Sequence, residues 1–171
     1  MRIWMMLAVV GLGGCALFGR VEPGMDAAQV RDEVGAPGLS IEAPEGGRIW
    51  QYPTQPAGTT FRNVRFDAAG QVVEVWDGLD MAHLAQVQVG MSEAEVARRL
   101  GPYRTEVYFS LSGETVRDWN VDNTGNPGLA TLFNVHFRDG QVVRTSTSYV
   151  YAEDVKFLGG LGGGLRLGAG F

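Results

Sequence analysis

The sequence predicts an α+β fold made of two tandem units, each with short helices packed on a three- to four-stranded antiparallel sheet. Three observations predict it: an internal repeat, start and stop signals for a helix in each copy, and alternating apolar residues around tight turns. The chain has 171 residues, 45% of them hydrophobic and 19% charged. This composition is typical of a packed core and excludes general disorder.

The repeat opens with VEPGMDAAQV at Val21–Val30 and returns as VQVGMSEAEV at Val87–Val96. Downstream, Asn-Val-Arg-Phe at 63–66 matches Asn-Val-His-Phe at 134–137, and a Gly-Gln-Val-Val segment follows in both copies. Because order and spacing are kept, we predict equivalent units over residues 21–77 and 78–150. Trp50 and Trp119 occupy corresponding places, as do Phe66 and Phe137.

Each copy carries a complete helix signal. A capping residue is followed three positions later by Gln or Glu, which is the capping-box pattern, and a glycine stands where the helix ends. These positions are Asp26, Gln29 and Gly35 in the first copy and Ser92, Glu95 and Gly101 in the second. The predicted helices have about two turns, so their stability must come from packing on the sheet.

The strand signals follow the helix in both copies. Phe133, Val135 and Phe137 alternate with polar residues before Asp139-Gly140, a dipeptide suited to a tight hairpin turn. The first copy has the longer turn Asp67–Gly70. Further strands are predicted around the two tryptophans and over 103–111, and residues 80–87 favour a short helix.

The N-terminus predicts a lipoprotein signal peptide over residues 1–14. Ile3–Leu12 is apolar but too short for a membrane span of about 20 residues, and Leu12-Gly-Gly-Cys15 resembles the bacterial lipobox. Cys15 is therefore the predicted lipidation site, and residues 15–20 form a lipidated tether. In that resemblance Ala16, which is not aspartate, favours sorting to the outer membrane. The alternative is a small buried cysteine in an N-terminal helix.

The lipobox and the two Gly-Met-(Asp/Ser)-x-Ala-(Gln/Glu)-Val motifs together resemble the SmpA/OmlA, or BamE-like, family of outer-membrane lipoproteins, over about residues 15–150. The resemblance implies a small α+β fold and an accessory role in β-barrel assembly, facing the periplasm. Tandem copies also resemble the β-lactamase inhibitor protein fold. That second likeness implies a sheet surface, or a loop such as Pro53–Thr60, that blocks a periplasmic or secreted enzyme.

Several classes of function are not expected. A net charge of −5 with Lys156 as the single lysine disfavours nucleic acid as a partner. One cysteine and two lone histidines, His83 and His136, predict neither a metal site nor a cofactor. No nucleophile elbow or metalloprotease motif is present, so we predict no enzymatic activity. His136 alternates with apolar residues and is expected on the solvent side or at a sheet edge rather than as a base, and the same is expected of His83.

A protein partner in the cell envelope remains the expected ligand. The candidate interface residues are Trp50, Tyr52, Trp76 and Trp119, which the sequence allows either in the core or on an exposed sheet face. The glycine-rich stretch 151–171 is predicted to be a flexible tail.

The lipobox yields the first testable prediction. Cys15→Ala should abolish acyl labelling and release the protein from the membrane, because two or more acyl chains hold a protein at a bilayer where one does not. Metabolic labelling with a fatty acid and fractionation of the native host measure both effects. A wild-type protein that carries no lipid would contradict the prediction.

Overall fold

The computed structural model describes residues 20–122, 129–150 and 166–167 and confirms two tandem α+β units, each with a four-stranded antiparallel sheet. The first unit comprises α1 (Ala27–Val34), β1 (Leu39–Glu42), β2 (Arg48–Pro53), β3 (Phe61–Phe66) and β4 (Val72–Asp77). The second comprises α2 (Met81–Leu84), α3 (Glu93–Leu100), β5 (Thr105–Phe109), β6 (Glu114–Val121), β7 (Ala130–Arg138) and β8 (Gln141–Val150).

One short strand lies within the predicted tail. This strand, β9 (Arg166–Leu167), pairs antiparallel with β5 at the sheet edge opposite β8. At these two residues the tail is therefore part of the second sheet. The remainder of 151–171, the signal peptide 1–14 and Cys15 lie outside the described residues.

Helices α1 and α3 begin and end where the sequence predicts. The Asp26 carboxylate accepts hydrogen bonds from the first-turn N–H groups, while the Gln29 side chain accepts one from the Asp26 N–H at 2.9 Å. Ser92 and Glu95 form the same capping box in α3, with the Ser92 N–H 2.8 Å from the Glu95 carboxylate. A glycine with positive φ, Gly35 or Gly101, ends α1 and α3.

The glycine and methionine of the repeat fasten the last strand of each sheet. The Gly24 N–H donates to the Val72 carbonyl at 2.8 Å, and the Val72 N–H donates to the Met25 carbonyl at 2.8 Å. Gly90–Met91 makes the same pair of bonds to Val142, again at 2.8 Å. The most recognisable part of the repeat is thus a backbone clamp on β4 and β8.

Trp50 and Trp119 each lie on the helix-facing side of their own sheet, but they differ in their pairing with the next strand. Trp50 pairs with Val64, whereas Trp119 pairs with Phe133, one alternation away from Val135, the repeat counterpart of Val64. The predicted equivalence of the tryptophans is therefore wrong by two residues along the strand. Val64 and Val135 do lie in equivalent strands, β3 and β7.

A residue of the first sheet, Phe61 at the start of β3, connects the cores of the two units. Phe61 is buried among the core residues of the second unit, beside α3. A Cβ atom on Gly101 would lie 2.8 Å from the Phe61 ring, closer than real side chains approach. The Gln55 amide adds two hydrogen bonds to the Asn120 backbone, at 2.8 and 3.2 Å.

The core assignment can be tested by truncation. Phe66 and Phe137 are 0% and 1% exposed, so Phe66→Ala or Phe137→Ala should lower the free energy of unfolding by about 3–5 kcal/mol, because each leaves a cavity. Leu111, which is fully exposed, is the control, and Leu111→Ala should change it by less than about 0.5 kcal/mol. Urea unfolding measures all three, and a loss below about 1 kcal/mol for both phenylalanines would contradict the assignment.

Candidate protein-binding surface

Two of the four candidate interface residues are core residues. Trp50 is 3% exposed and meets Phe66 edge to face, with ring centroids 4.8 Å apart. Trp119 is 1% exposed, and its indole N–H donates to the Gly101 carbonyl at 3.3 Å. Both lie on the sheet face that packs against a helix, so neither can anchor a partner.

The other two candidates are half-buried. The Tyr52 hydroxyl donates to the Gly35 carbonyl at 3.3 Å and so supports the end of α1. Burial raises the pKa of Tyr52 against the opposing charge of Arg31. Trp76 lies on the opposite face of the first sheet, in register with the buried Asn63. Trp76 thus keeps an accessible part, whereas Tyr52 has a structural role.

A buried polar cluster lies on the outer face of the second sheet, where sequence reasoning expected solvent. His136 is 8% exposed. Its Nδ1 lies 3.0 Å from a Glu114 carboxylate oxygen, and its Nε2 lies 3.0 Å from the Ser146 hydroxyl. Arg144 donates to the same Glu114 oxygen at 2.8 Å. The solvent-side prediction for His136 is therefore wrong, because neighbouring strands cover the imidazole with these polar side chains.

The cluster has the connectivity of a serine, a base and a carboxylate, and its surroundings keep the imidazole neutral. Burial lowers the pKa of His136, and the positive charge of Arg144 lowers it further, against the opposing effect of Glu114. The hydrogen bond from Arg144 lowers the pKa of Glu114, which keeps this carboxylate ionised. Two arginines face one glutamate here, since Arg138 lies 3.5 Å from its other oxygen. An imidazolium is disfavoured among these groups.

An apolar groove lies on the other face of the second sheet, between α2 and strands β7 and β8. We call it the α2 groove. Its floor is formed by the buried Leu84, Val87 and Val121, and its rim carries Met81 and Tyr149, which are 79% and 55% exposed. Its volume is about 390 Å³, which is within the range of ligand-binding clefts.

The α2 groove also contains polar groups. Thr131 lines it and is 8% exposed, and its hydroxyl is the one buried side-chain polar atom without a hydrogen-bond partner in the part of the chain that is described. The groove continues into a second cleft beside the first unit, with which it shares Met81, Leu84, Val121 and Asp122. Asp80 and Asp122, both exposed, line this continuation.

The loop Pro53–Thr60, the candidate inhibitory loop, is held against the second unit. In addition to the Gln55 bonds, the Asn120 amide donates to the Pro56 carbonyl at 2.6 Å. Thr54 also closes the loop, because its hydroxyl donates to the Thr60 carbonyl at 2.7 Å. Pro56 and Ala57 remain exposed at the tip of an ordered loop.

The fold defines a class of protein with two tandem α+β units and an open groove on the second. A scan against protein-family models and a search of curated proteins both found no match. The helices in the described part of the chain include none that is long and apolar enough to cross a membrane.

The described residues also contain no group of three or more His, Cys, Asp or Glu side chains placed to hold a metal ion.

Sequence reasoning missed both the groove and the buried cluster. The hairpin turn at Asp139-Gly140 places His136 opposite the residues after the turn, which include Arg144 and Ser146. The turn alone would place His136 opposite Val143. A register shift between His136 and Phe137 brings Arg144 opposite His136 instead, and the sequence does not reveal that shift. The partner from β6, Glu114, was not readable from the sequence either, because its position depends on strand register.

The cluster predicts how stability depends on pH. Because the pKa of His136 is lowered in the folded state, the unfolded chain binds a proton more readily once the pH falls below about 6.5. The free energy of unfolding should therefore fall as the pH drops below about 6.5, by no more than about 1.4 kcal/mol per pH unit from this group.

Urea unfolding across this pH range measures the effect. His136→Gln should flatten the slope relative to the wild type. Ser146→Ala is the matched control, since it removes a hydrogen bond to His136 but keeps the titrating group, and it should retain a slope. An unchanged slope in His136→Gln would show that other groups are responsible.

Proposed function

We propose that this protein is a non-enzymatic lipoprotein of the outer membrane that faces the periplasm and acts as a binding or assembly factor, with a role in β-barrel assembly like that of the SmpA/OmlA family that its motifs resemble. The observation that carries the proposal is the repeated Gly-Met clamp and capping box, which builds both α+β units. The family motif is the same segment. The motif supports the fold directly. It supports the function only because the SmpA/OmlA family, which it resembles, has that function.

The proposed partner is a protein of the cell envelope. The α2 groove offers an apolar floor with exposed Met81 and Tyr149 at its rim, a composition suited to protein recognition. Lipidated Cys15 would supply the membrane attachment. Neither a cofactor nor a nucleic acid has a part in this proposal.

The anchor would act by proximity. The stretch Ala16–Arg20 alone separates Cys15 from the first motif, so the folded units would be held within a short reach of the bilayer. Confinement raises the effective concentration of a membrane-bound partner without any new contact. Recognition and attachment are thus assigned to different parts of the chain.

An inhibitory module is the second candidate function. The loop Pro53–Thr60 favours it, because hydrogen bonds to Asn120 hold the loop in one shape. A loop ordered before binding loses little entropy when it enters an enzyme cleft. A stoichiometric inhibition screen against periplasmic and secreted hydrolases tests this alternative.

The assembly proposal predicts a dependence on the anchor. A soluble form, exported without the lipobox, should bind the same partner in solution but restore a deletion strain poorly, because it lacks proximity. The measurements are envelope integrity and the levels of barrel proteins, with the lipidated wild type as control. Full complementation by the soluble form, or unchanged barrel assembly after deletion, would favour the inhibitory module.

A further inference from the structure

Strand β8 has an outer edge that is covered at one end only. Gly90–Met91 binds Val142, and the Glu93 N–H donates to the Gly140 carbonyl at 3.1 Å. Beyond Val142, no described residue pairs with this edge, although β8 continues to Val150. Alternate residues of an antiparallel strand direct their N–H and C=O groups away from the paired neighbour, so this stretch presents unpaired backbone groups.

The uncovered stretch carries one charged residue, Arg144, which is bound to Glu114 at 2.8 Å on the outer face of the sheet; the rest lacks the protection that sheet edges normally carry. Residues 145–150 read Thr-Ser-Thr-Ser-Tyr-Val, with neither charge nor proline, although charged residues and prolines commonly block pairing at an edge. The corresponding strand β4 ends at Asp77 and carries Glu74, which forms a salt bridge with Arg65 at 3.0 Å. The two units thus differ at their edges.

The α2 groove runs beside the open edge. Thr145, Thr147 and Tyr149 line the groove and belong to the uncovered stretch. A strand added to β8 would therefore place alternate side chains beside Thr145, Thr147 and Tyr149. A long side chain that extends over Tyr149 would approach the unpartnered hydroxyl of Thr131, which pairs with Tyr149 on the next strand. The far end of the cleft is lined by three carboxylates, Asp77, Asp80 and Asp122, and by Arg62. Arg62 lies 3.4 Å from Asp77, so Asp80 and Asp122 leave this end with a net negative charge.

We propose that β8 binds an extended peptide segment as an additional strand, with alternate apolar side chains in the α2 groove and a basic residue near Asp80 and Asp122. Backbone pairing would give affinity and the groove would select the side chains. Alternating apolar residues are also the pattern of strands in outer-membrane barrels. The inference rests on the proposed function for the identity of its natural partner, and on the edge and the groove for its chemistry.

The full chain in detergent provides the test, with a synthetic peptide in which valine alternates with threonine before a terminal arginine. Fluorescence anisotropy should show saturable binding, and amide hydrogen exchange between Thr145 and Val150 should slow when the peptide is added. A peptide with N-methylated alternate residues, which cannot pair, should not bind. Replacing the terminal arginine by glutamate should weaken binding.

Three variants sharpen the test. Thr147→Lys, at an exposed position of the open edge, should weaken binding at least about tenfold, because a charged side chain blocks pairing. Val73→Lys, the matched control on β4, should leave binding within about twofold. Thr131→Val should preserve folding stability but weaken binding about threefold to tenfold, if the peptide supplies the missing hydrogen bond.

Several results would overturn the inference. These are equal binding by Thr147→Lys, no binding of the wild type, or slow exchange at 145–150 before peptide is added, which would show that the chain covers its own edge. Self-association that Thr147→Lys abolishes would assign the edge to a second copy. Peptide binding without an envelope phenotype would overturn the proposed function alone, whereas a phenotype without peptide binding would overturn this inference alone.

Discussion

The contact of Phe61 with the end of α3 is the constraint on which the arrangement of the two units depends. Phe61 is the first residue of β3 and pairs with Pro53, while its side chain is buried in the core of the second unit. The absence of a side chain at Gly101 permits this approach, since a Cβ there would lie 2.8 Å from the ring. Gly78 is equally confined, with a built Cβ 2.7 Å from the same ring. The two repeats are thereby packed against each other through Phe61, and are not joined by a linker alone.

This contact also shapes the binding surface. The chain around Thr59 and Thr60 leads into Phe61 and lines the cleft that continues from the α2 groove. The hydrogen bonds between Gln55 and Asn120 close the same junction from the other side. The cleft therefore depends on the packing of both units, although its apolar floor comes from the second unit.

The sequence was a good guide to local structure and a poor one to the site. Asp26, Ser92 and the glycines that end the helices act within a few residues, so their roles were readable from spacing. The burial of Trp50 and Trp119 needed knowledge of which face of each sheet meets a helix. The position of Thr131 beside Tyr149 depends on strand register and on the placement of α2, which no local pattern records.

The buried cluster and the α2 groove lie on opposite faces of β8, and this division explains how an open edge stays ordered. On the outer face Ser146 bonds His136, and the Asn134 amide donates to the Ser148 hydroxyl at 3.0 Å. On the groove face Thr145 and Thr147 have no such task and remain exposed. The strand is thus held in an extended shape by contacts that a partner does not use. Because β8 is extended before a partner binds, only the partner loses conformational entropy when it is added as a strand. The total entropic cost of binding is therefore smaller.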